Sequence, residues 1–224
     1  APYRKWLKKN CIYIESSLDK YEGPGLKKIS SEDFSISSKL FLLYKEERTS
    51  VIKPLAIESQ EGTGSMGDDT ALAVMSKMHR QIYDYFRQQF AQVTNPPIDS
   101  LREASVMSLE TCYGPELNVF KDTSEHAKRL VTSSPVLSYK KLQSILKNPY
   151  FDCDQINLSY HKRDNLVKAL RILQKRVVRS VKKGNTIIHL EEKLPNKNYL
   201  SINALLAVGC VHQKLVELGL RSKA

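Results

Sequence analysis

The stretch NLVKALRILQKRVVRSVKK, residues 165–183, decides the fold of the second half of this 224-residue chain. Its leucines and valines recur at helical spacing on one side, and basic residues recur at three- or four-residue steps on the other. This pattern predicts an amphipathic helix that packs one face on a core. The apolar positions are Leu166, Leu170, Leu173, Val177 and Val181, and the basic positions are Lys168, Arg171, Lys175, Arg179 and Lys182.

Short strand patterns alternate with helical patterns around this stretch. We predict strands at Arg129–Ser133, Ile156–Tyr160 and Thr186–Leu190, and helices at Tyr139–Leu146, Leu166–Lys183 and Ile202–Leu218. This alternation is the order of βαβ units, and it predicts an α/β fold with a parallel sheet. The first half is more helical, with helices expected at Tyr3–Lys9, Lys39–Lys45, Ser50–Glu58 and Arg80–Val93, then a strand at Ser105–Leu109.

Composition limits the class of protein. An apolar content of 41% is enough for a real core in one domain or part of a larger one. The longest apolar run, Ala204–Val211, is too short to span a bilayer, and no apolar signal core follows the basic N-terminus. The four cysteines are far apart, which indicates reduced thiols: Cys11, Cys112, Cys153 and Cys210. We therefore expect a cytoplasmic protein without a membrane partner.

The net charge of +11 comes chiefly from residues 123–224, which hold 19 basic and 7 acidic side chains. A basic helix face at residues 165–183 can bind phosphates, so a basic nucleic-acid-binding protein is one hypothesis. No aromatic residue is interleaved with these charges to stack on bases. We favour a solvated face that binds no nucleic acid.

The segment Gly62–Gly67, GTGSMG, matches the dinucleotide pattern G-x-G-x-x-G. That pattern needs a preceding strand and a helix opening at its last glycine, whereas Asp68 and Asp69 follow here and would repel phosphates. A small Rossmann oxidoreductase is therefore disfavoured. Gly64 and Gly67 are expected to permit turns that aim Asp68 or Asp69 at a helix N-terminus or a backbone amide.

Other reactive residues are scattered. Neighbouring carboxylates such as Glu191 and Glu192 are interpreted as capping or solvated groups, and His189, inside a strand pattern, as a packed residue. No residue is predicted to be catalytic, cofactor-binding or metal-binding. The stretch Phe90–Asp99 ends a helix at two prolines and leaves Thr94 and Asn95 in need of partners, which are either neighbouring loops or a cavity.

Three blocks, Gly64–Ser76, Arg80–Asp99 and Leu101–Phe120, together resemble one family, the central domain of the glutamate synthase large chain. The bacterial type, which works with a small NADPH-oxidising chain, is the most similar. The resemblance implies a barrel-like βα domain with a helical N-terminal part. It implies that residues 1–224 are this domain, truncated at its C-terminus.

The same resemblance implies a role. The domain would link a glutamine amidotransferase domain to an FMN synthase domain and help to form the ammonia tunnel between them, with Thr94, Asn95, Asp68 and Asp69 as the tunnel or interdomain residues. FMN and a 3Fe-4S cluster would belong to the complete enzyme and not to this segment. The chain begins Ala1-Pro2-Tyr3 where the family's nucleophile would be a cysteine, so we expect the segment alone to be inactive.

The sequence differs from the family's usual motifs at three places. Ala71 stands where proline is usual after GDDT, and Ser100 where NPPIDP is usual. Leu190–Lys193 also differs from the usual wording after the apolar strand. The first two changes leave the motifs intact, and no role is transferred to Thr186–Leu194.

Overall fold

The structure is a computed structural model that describes residues 2–14, 28–58, 60, 62, 74–77, 85, 101–102, 106–121, 123–193 and 195–224. Two units divide the chain: residues 1–26 with 98–224, and residues 27–97. In chain order the elements are α1 (Pro2–Asn10), β1 (Ile12–Tyr13), α2 (Ser31–Leu40), α3 (Lys45–Glu47), β2 (Thr111–Tyr113), β3 (Leu130–Thr132), α4 (Tyr139–Leu146), β4 (Cys153–Asn157), β5 (Ser159–His161), α5 (Leu166–Lys182), β6 (Ile187–Glu191), β7 (Tyr199–Ser201) and α6 (Ala204–Glu217).

Helix α5 forms where the amphipathic pattern predicts it. Asn165 caps its first turn, with the Asn165 side-chain oxygen accepting from the Lys168 backbone N–H at 2.8 Å. The apolar face packs on β4, β6 and α6 and makes the first core of the larger unit. Its buried members are Ile156, Leu158, Ala169, Leu173, Val177, Val181, Ile202, Ala207, Val211, Leu215 and Leu220.

Both long helices end in a Schellman motif. After α5, Gly184 has φ +104° and its N–H donates to the Val181 carbonyl. After α6, Gly219 has φ +63°, and the Leu220 N–H donates to the Leu215 carbonyl at 2.8 Å. Glycine tolerates positive φ, so each helix stops at a defined residue. The second motif also packs Leu220 beside Leu215 in the first core.

The prediction of an α/β fold is confirmed, but the prediction of one parallel sheet needs correction. Strands β4 and β6 are parallel, from Cys153 opposite Ile187 to Asn157 opposite Glu191. Strands β5 and β7 instead form an antiparallel pair, and β3 lies between a parallel β1 and an antiparallel β2. The described strands therefore form three small sheets.

The strand predicted at Ile156–Tyr160 is divided at Leu158. Leu158 is fully buried, and its N–H donates to the Glu191 carbonyl while its own carbonyl accepts from the Ile202 N–H. The chain thus leaves the β6 partner at Leu158 and takes β7 as its next partner. A continuous apolar run cannot show such an exchange of partners.

The strand predicted at Ser105–Leu109 is wrong. Val106 is helical and the next four residues are irregular, whereas the strand, β2, covers Thr111–Tyr113. Its position is set by pairing of Cys112 with Val131 on β3. Strands β1 and β7 were not predicted because two or three residues are too short to show a period of two.

In the smaller unit, the helix predicted at Lys39–Lys45 is also wrong. Helix α2 ends at Leu40 because Leu42 adopts φ +56°, and the Leu43 N–H donates to the Ser38 carbonyl in a Schellman motif formed without glycine. A new helix begins at Lys45, where the Glu47 carboxylate accepts from the Tyr44 N–H at 2.9 Å.

The helix predicted at Ser50–Glu58 is present as helical turns of the wider π type, Arg48–Ile52 and Pro54–Glu58. The helix predicted at Arg80–Val93 lies outside the described residues except for Tyr85. Of the helices that the structure describes, none combines the length and the apolar character that a bilayer crossing requires.

The two faces of α5 should respond oppositely to truncation. Leu173→Ala removes a side chain that is 3% exposed in the first core and should lower the free energy of unfolding by about 2–5 kcal/mol. Lys175→Ala, on the exposed face of the same helix, should change it by less than about 0.5 kcal/mol. Urea unfolding measures both variants, and equal losses would contradict the assignment of faces.

Candidate functional site

The residues predicted to line an ammonia path are not among those the structure describes. Thr94, Asn95, Asp68 and Asp69 all lie outside the described residues. Gly62, the first glycine of GTGSMG, is described, and a Cβ placed on it would lie 2.9 Å from Cα of Val51. Close packing therefore accounts for Gly62 without a bound phosphate. The rest of that motif is outside the described ranges.

The segment Tyr113–Phe120, the end of the third sequence block, connects several parts of the larger unit. Gly114 follows β2 with φ +129°, and a Cβ placed on it would lie 3.2 Å from the Phe151 ring and 3.7 Å from the Lys128 carbonyl oxygen. Two residues later, the Glu116 N–H donates to the Ser222 carbonyl at 2.7 Å. Glycine is needed at position 114 both for its backbone conformation and for this close approach.

Phe151 belongs to the second core of the larger unit, whose buried members are Ile14, Leu130, Ile145 and Phe151. Strand β6 joins the two cores, since Ile187 packs against the second core and Ile188 against the first. The contact of Gly114 with Phe151 therefore places the Tyr113–Phe120 segment against the same framework that carries the βα part.

A rigid turn at Asn118–Lys121 continues this segment. The Asn118 side-chain oxygen accepts from the Phe120 N–H at 3.0 Å, and the Asn118 carbonyl accepts from the Lys121 N–H at 3.0 Å. His126 Nε2 lies 3.1 Å from the same carbonyl, and His126 Nδ1 lies 3.0 Å from the Thr123 carbonyl. His126 Nδ1 lies 3.1 Å from the Thr123 hydroxyl. Both ring nitrogens are therefore engaged, which leaves neither free as a metal ligand or a base.

An open cleft of about 520 Å³ lies between this turn and the start of β4. Leu117 and Phe151 supply apolar surface, and Lys121 and Asp152 supply charge. Asp152 lines the cleft, and its backbone carbonyl accepts from the N–H groups of Thr186 and Ile187 at 2.9 and 3.2 Å. Further lining residues are Pro115, Asn118, Thr123, Glu125, His126, Lys128 and Tyr150.

The position of the cleft bears on its chemistry. Asp152 and Thr186 directly precede β4 and β6, so the cleft lies at the amino ends of the parallel strands. Ligands of α/β sheets bind at the carboxyl ends, whereas the amino ends serve stability. Glu125 is paired with Lys128 at 2.9 Å. The cleft therefore lies away from the end of the sheet at which such ligands bind.

At the carboxyl end of β6, Glu192 is half-buried beside the first turn of α6. Its carboxylate accepts from the Ala204 N–H, yet burial outweighs this hydrogen bond and raises the pKa of Glu192 above its ordinary value. Asn203 caps the same turn by accepting from the Leu205 N–H at 3.0 Å. The neighbouring Glu191 pairs with Lys193 at 3.2 Å. The interpretation of Glu192 as a capping group is thus supported.

The cysteines are unpaired, and their surroundings make two of them poor nucleophiles. Burial raises the pKa of Cys11 and of Cys153, which disfavours the reactive thiolate. His189 is half-buried on β6, in agreement with a packed role, and its Nδ1 is buried without a hydrogen-bond partner. In the described ranges, histidine, cysteine and carboxylate side chains nowhere gather in threes that could hold a metal ion.

The basic stripe of α5 faces solvent. Lys168, Arg171, Lys175, Arg179 and Lys182 are all exposed. Lys168 pairs with Asp164 at 2.6 Å, and this hydrogen bond lowers the pKa of Asp164. A solvated face explains these charges, and no contact or comparison supports the nucleic-acid hypothesis.

Comparison with known proteins identifies relatives over the whole length of the chain. The sequence profile of the family described as "Glutamate synthase central domain" matches residues 37–224. Glutamate synthase [NADH] from Saccharomyces cerevisiae is 33% identical over 99% of this chain. Ferredoxin-dependent glutamate synthase 1, chloroplastic/mitochondrial, from Arabidopsis thaliana is 34% identical over 100% of it, and the glutamate synthase [NADPH] large chain from Bacillus subtilis is 29% identical over 99%.

These relatives are much longer than the chain, which spans 11% of the yeast protein and 14% of the other two. The similarity therefore concerns one region of each relative.

Substitution of Gly114 should show whether the Tyr113–Phe120 segment needs its contact with Phe151. Gly114→Ala forces a side chain onto a backbone at φ +129° and against the Phe151 ring, and should cost more than about 1 kcal/mol of unfolding free energy. Gly184→Ala is the matched control, because φ is +104° and no atom lies within 4 Å of the added Cβ. A loss at Gly114 no greater than at Gly184 would exclude a role for the ring contact.

Glu192→Gln should preserve the acceptor for the Ala204 N–H and remove a desolvated charge. Because the folded pKa of Glu192 is raised, its contribution to stability is fully present below the ordinary glutamate pKa and is lost as pH rises through the raised value. The variant should therefore match the native protein in acid and equal or exceed its stability at neutral pH. Urea unfolding at several pH values measures the difference.

Glu191→Gln is the control for this experiment, because it removes the half-buried partner of the exposed Lys193 and should slightly destabilise the protein at neutral pH. A neutral-pH loss for Glu192→Gln as large as that for Glu191→Gln would show that the Glu192 charge is favourable after all.

Proposed function

Because this chain belongs to the family of the glutamate synthase central domain, we propose that it is the connecting domain of a glutamate synthase. That enzyme makes L-glutamate from L-glutamine and 2-oxoglutarate, and this domain joins its amidotransferase domain to its FMN synthase domain. The observation that carries the proposal is the profile match over residues 37–224, together with alignments that cover nearly all of the chain.

The described structure supports a connecting role over a catalytic one. The Tyr113–Phe120 segment ties β2, Phe151 and Ser222 together, and the neighbouring cleft lies at the amino ends of the parallel strands. Rigid links of this kind hold elements at fixed positions. We also infer that β4 and β6, with α5 and α6 on one face, are part of a barrel-like βα arrangement.

Cofactor chemistry belongs to the complete enzyme in this proposal. The described residues do not fit an iron–sulphur cluster, because clusters need several neighbouring thiolates and burial raises the pKa of the Cys11 and Cys153 thiols. FMN and the 3Fe-4S cluster are therefore assigned to other domains. Relatives named for NADH, ferredoxin and NADPH all align, and we propose a small NADPH-oxidising chain as the partner.

Thr94 and Asn95 are assigned to ammonia transfer in this proposal. Hydroxyl and carbonyl oxygens accept hydrogen bonds from neutral ammonia and have no proton to give it at neutral pH. We propose that these two residues lie on the path, with Asp68 and Asp69 at the path or an interdomain contact.

We assign the enzyme to the cytoplasm, although the Arabidopsis relative is named chloroplastic/mitochondrial.

Thr94→Val should separate the two half-reactions in the complete polypeptide. Valine keeps the shape of threonine but offers ammonia no hydrogen bond, so glutamine hydrolysis should continue while less glutamate forms per glutamine consumed. The ratio of the two products measures this uncoupling, and FMN content should stay constant.

Thr49→Val is the control, because Thr49 is an exposed threonine whose hydroxyl bonds only to helix carbonyls of Lys45 and Glu46. It should leave the product ratio unchanged. Equal loss of both activities in Thr94→Val, or loss of neither, counts against the proposed path.

A further inference from the structure

Helix α6 carries apolar side chains on a second side besides the side that faces the core. Its inner side places Ala207, Val211 and Leu215 in the first core. Its outer side carries Leu205, Val208, Gly209, His212 and Val216 at three- or four-residue steps, and we call this set the outer stripe. Leu205, Val208 and Val216 remain 52%, 56% and 49% exposed. An apolar stripe along a helix normally packs against another part of the protein.

The neighbouring helix shows what a solvated outer face looks like in this unit. The exposed face of α5 also carries the apolar residues Val167 and Ile172, but charged side chains stand among them and keep that face in water: Lys168, Arg171, Lys175 and Arg179. The outer stripe of α6 carries no charged side chain. His212 is its one polar member, and its Nδ1 accepts from the Arg221 Nε–H at 3.2 Å. Water is therefore the expected neighbour of α5 but not of α6.

Gly209 lies at the centre of the outer stripe, and the described structure gives no internal reason for it. A Cβ placed on Gly209 would meet no atom within 4 Å, and its φ is not positive. Glycine inside a helix costs roughly 0.5–1 kcal/mol relative to alanine. A glycine that is unnecessary for its own domain is explained if another backbone approaches the helix there.

We propose that the outer stripe is the docking face for a helix of another domain of the same polypeptide, with its axis crossing α6 at Gly209. This inference rests on the proposed connecting function and names a surface through which the connection is made. The three half-exposed aliphatic side chains form a stripe that fits between the side-chain ridges of a second helix. The missing side chain at Gly209 brings the two axes close together.

The size of the stripe decides between a tethered and a free partner. It offers on the order of a few hundred Å², whereas a stable complex of separate chains buries about 800 Å² per partner. A contact of this size holds when a covalent link keeps the partner at high effective concentration. The relatives supply such a link, since this region is 11–14% of their length. A second copy or a separate small chain is therefore disfavoured.

Site-resolved thiol alkylation tests the docking face in the complete polypeptide. Val208→Cys places a thiol on the outer stripe, and Lys175→Cys places a matched thiol on the solvated face of α5. N-ethylmaleimide should modify position 208 about tenfold more slowly than position 175, as expected if the contact is open a tenth of the time. Both positions should react equally in denaturant. Fragment spectra separate position 208 from the native Cys210.

A larger side chain at Gly209 provides a second test of the docking face. Gly209→Leu should raise the alkylation rate at position 208 to that of position 175. In the protein without cysteine substitutions, the same change should speed amide hydrogen exchange along α6. Equal native rates at positions 208 and 175, or no effect of Gly209→Leu on either readout, would overturn the docking face.

Dilution of the labelled protein distinguishes a tethered helix from a second copy or a separate chain. Protection of position 208 that disappears on dilution would overturn a tethered helix in favour of a second copy or a separate chain. Thiol labelling does not depend on enzyme turnover, so it tests the docking face separately from the connecting function. If position 208 is not protected but Thr94→Val still uncouples glutamine hydrolysis from glutamate formation, only the docking face is rejected.

Discussion

The burial of one face of α5 against β4, β6 and α6 is the interaction on which the larger unit depends. Leu173, Val177 and Val181 are each less than 5% exposed, and burying such side chains stabilises a fold by about 1.5–3 kcal/mol each. The parallel pairing of β4 and β6 needs a crossover between the strands, and α5 is that crossover. Without this packing, the two strands would have no reason to be adjacent.

The second core holds the Tyr113–Phe120 segment against the rest of the larger unit. Phe151 contacts the position of a Cβ on Gly114, and Ile187 carries β6 from one core to the other. The Tyr113–Phe120 segment is thus explained by its structural contacts, without a reacting group.

The physical character of this region agrees with the connecting function that we propose for it. Burial raises the pKa of Cys11 and of Cys153, the cleft lies at the amino ends of the strands, and the basic face of α5 is solvated. What distinguishes the surface is the outer stripe of α6, an apolar face with a central glycine. In the proposed connecting function, the contribution of this domain is geometric, because it fixes the distance and orientation of its neighbours.

The sequence by itself determined the helices with strong periodicity, α4, α5 and α6, since an apolar stripe at helical spacing is a local signal. It also indicated the family, through the sequence motifs of residues 64–120. Only the tertiary structure decided that the strand at 156–160 divides at Leu158, that the strand near residue 110 begins at Thr111, and that α2 stops before Leu42. Those outcomes depend on which strand offers a hydrogen-bond partner and on one residue at positive φ. The cleft beside Asp152 and the exposure of the outer stripe likewise arise from segments distant in the chain, which no periodicity within a segment can specify.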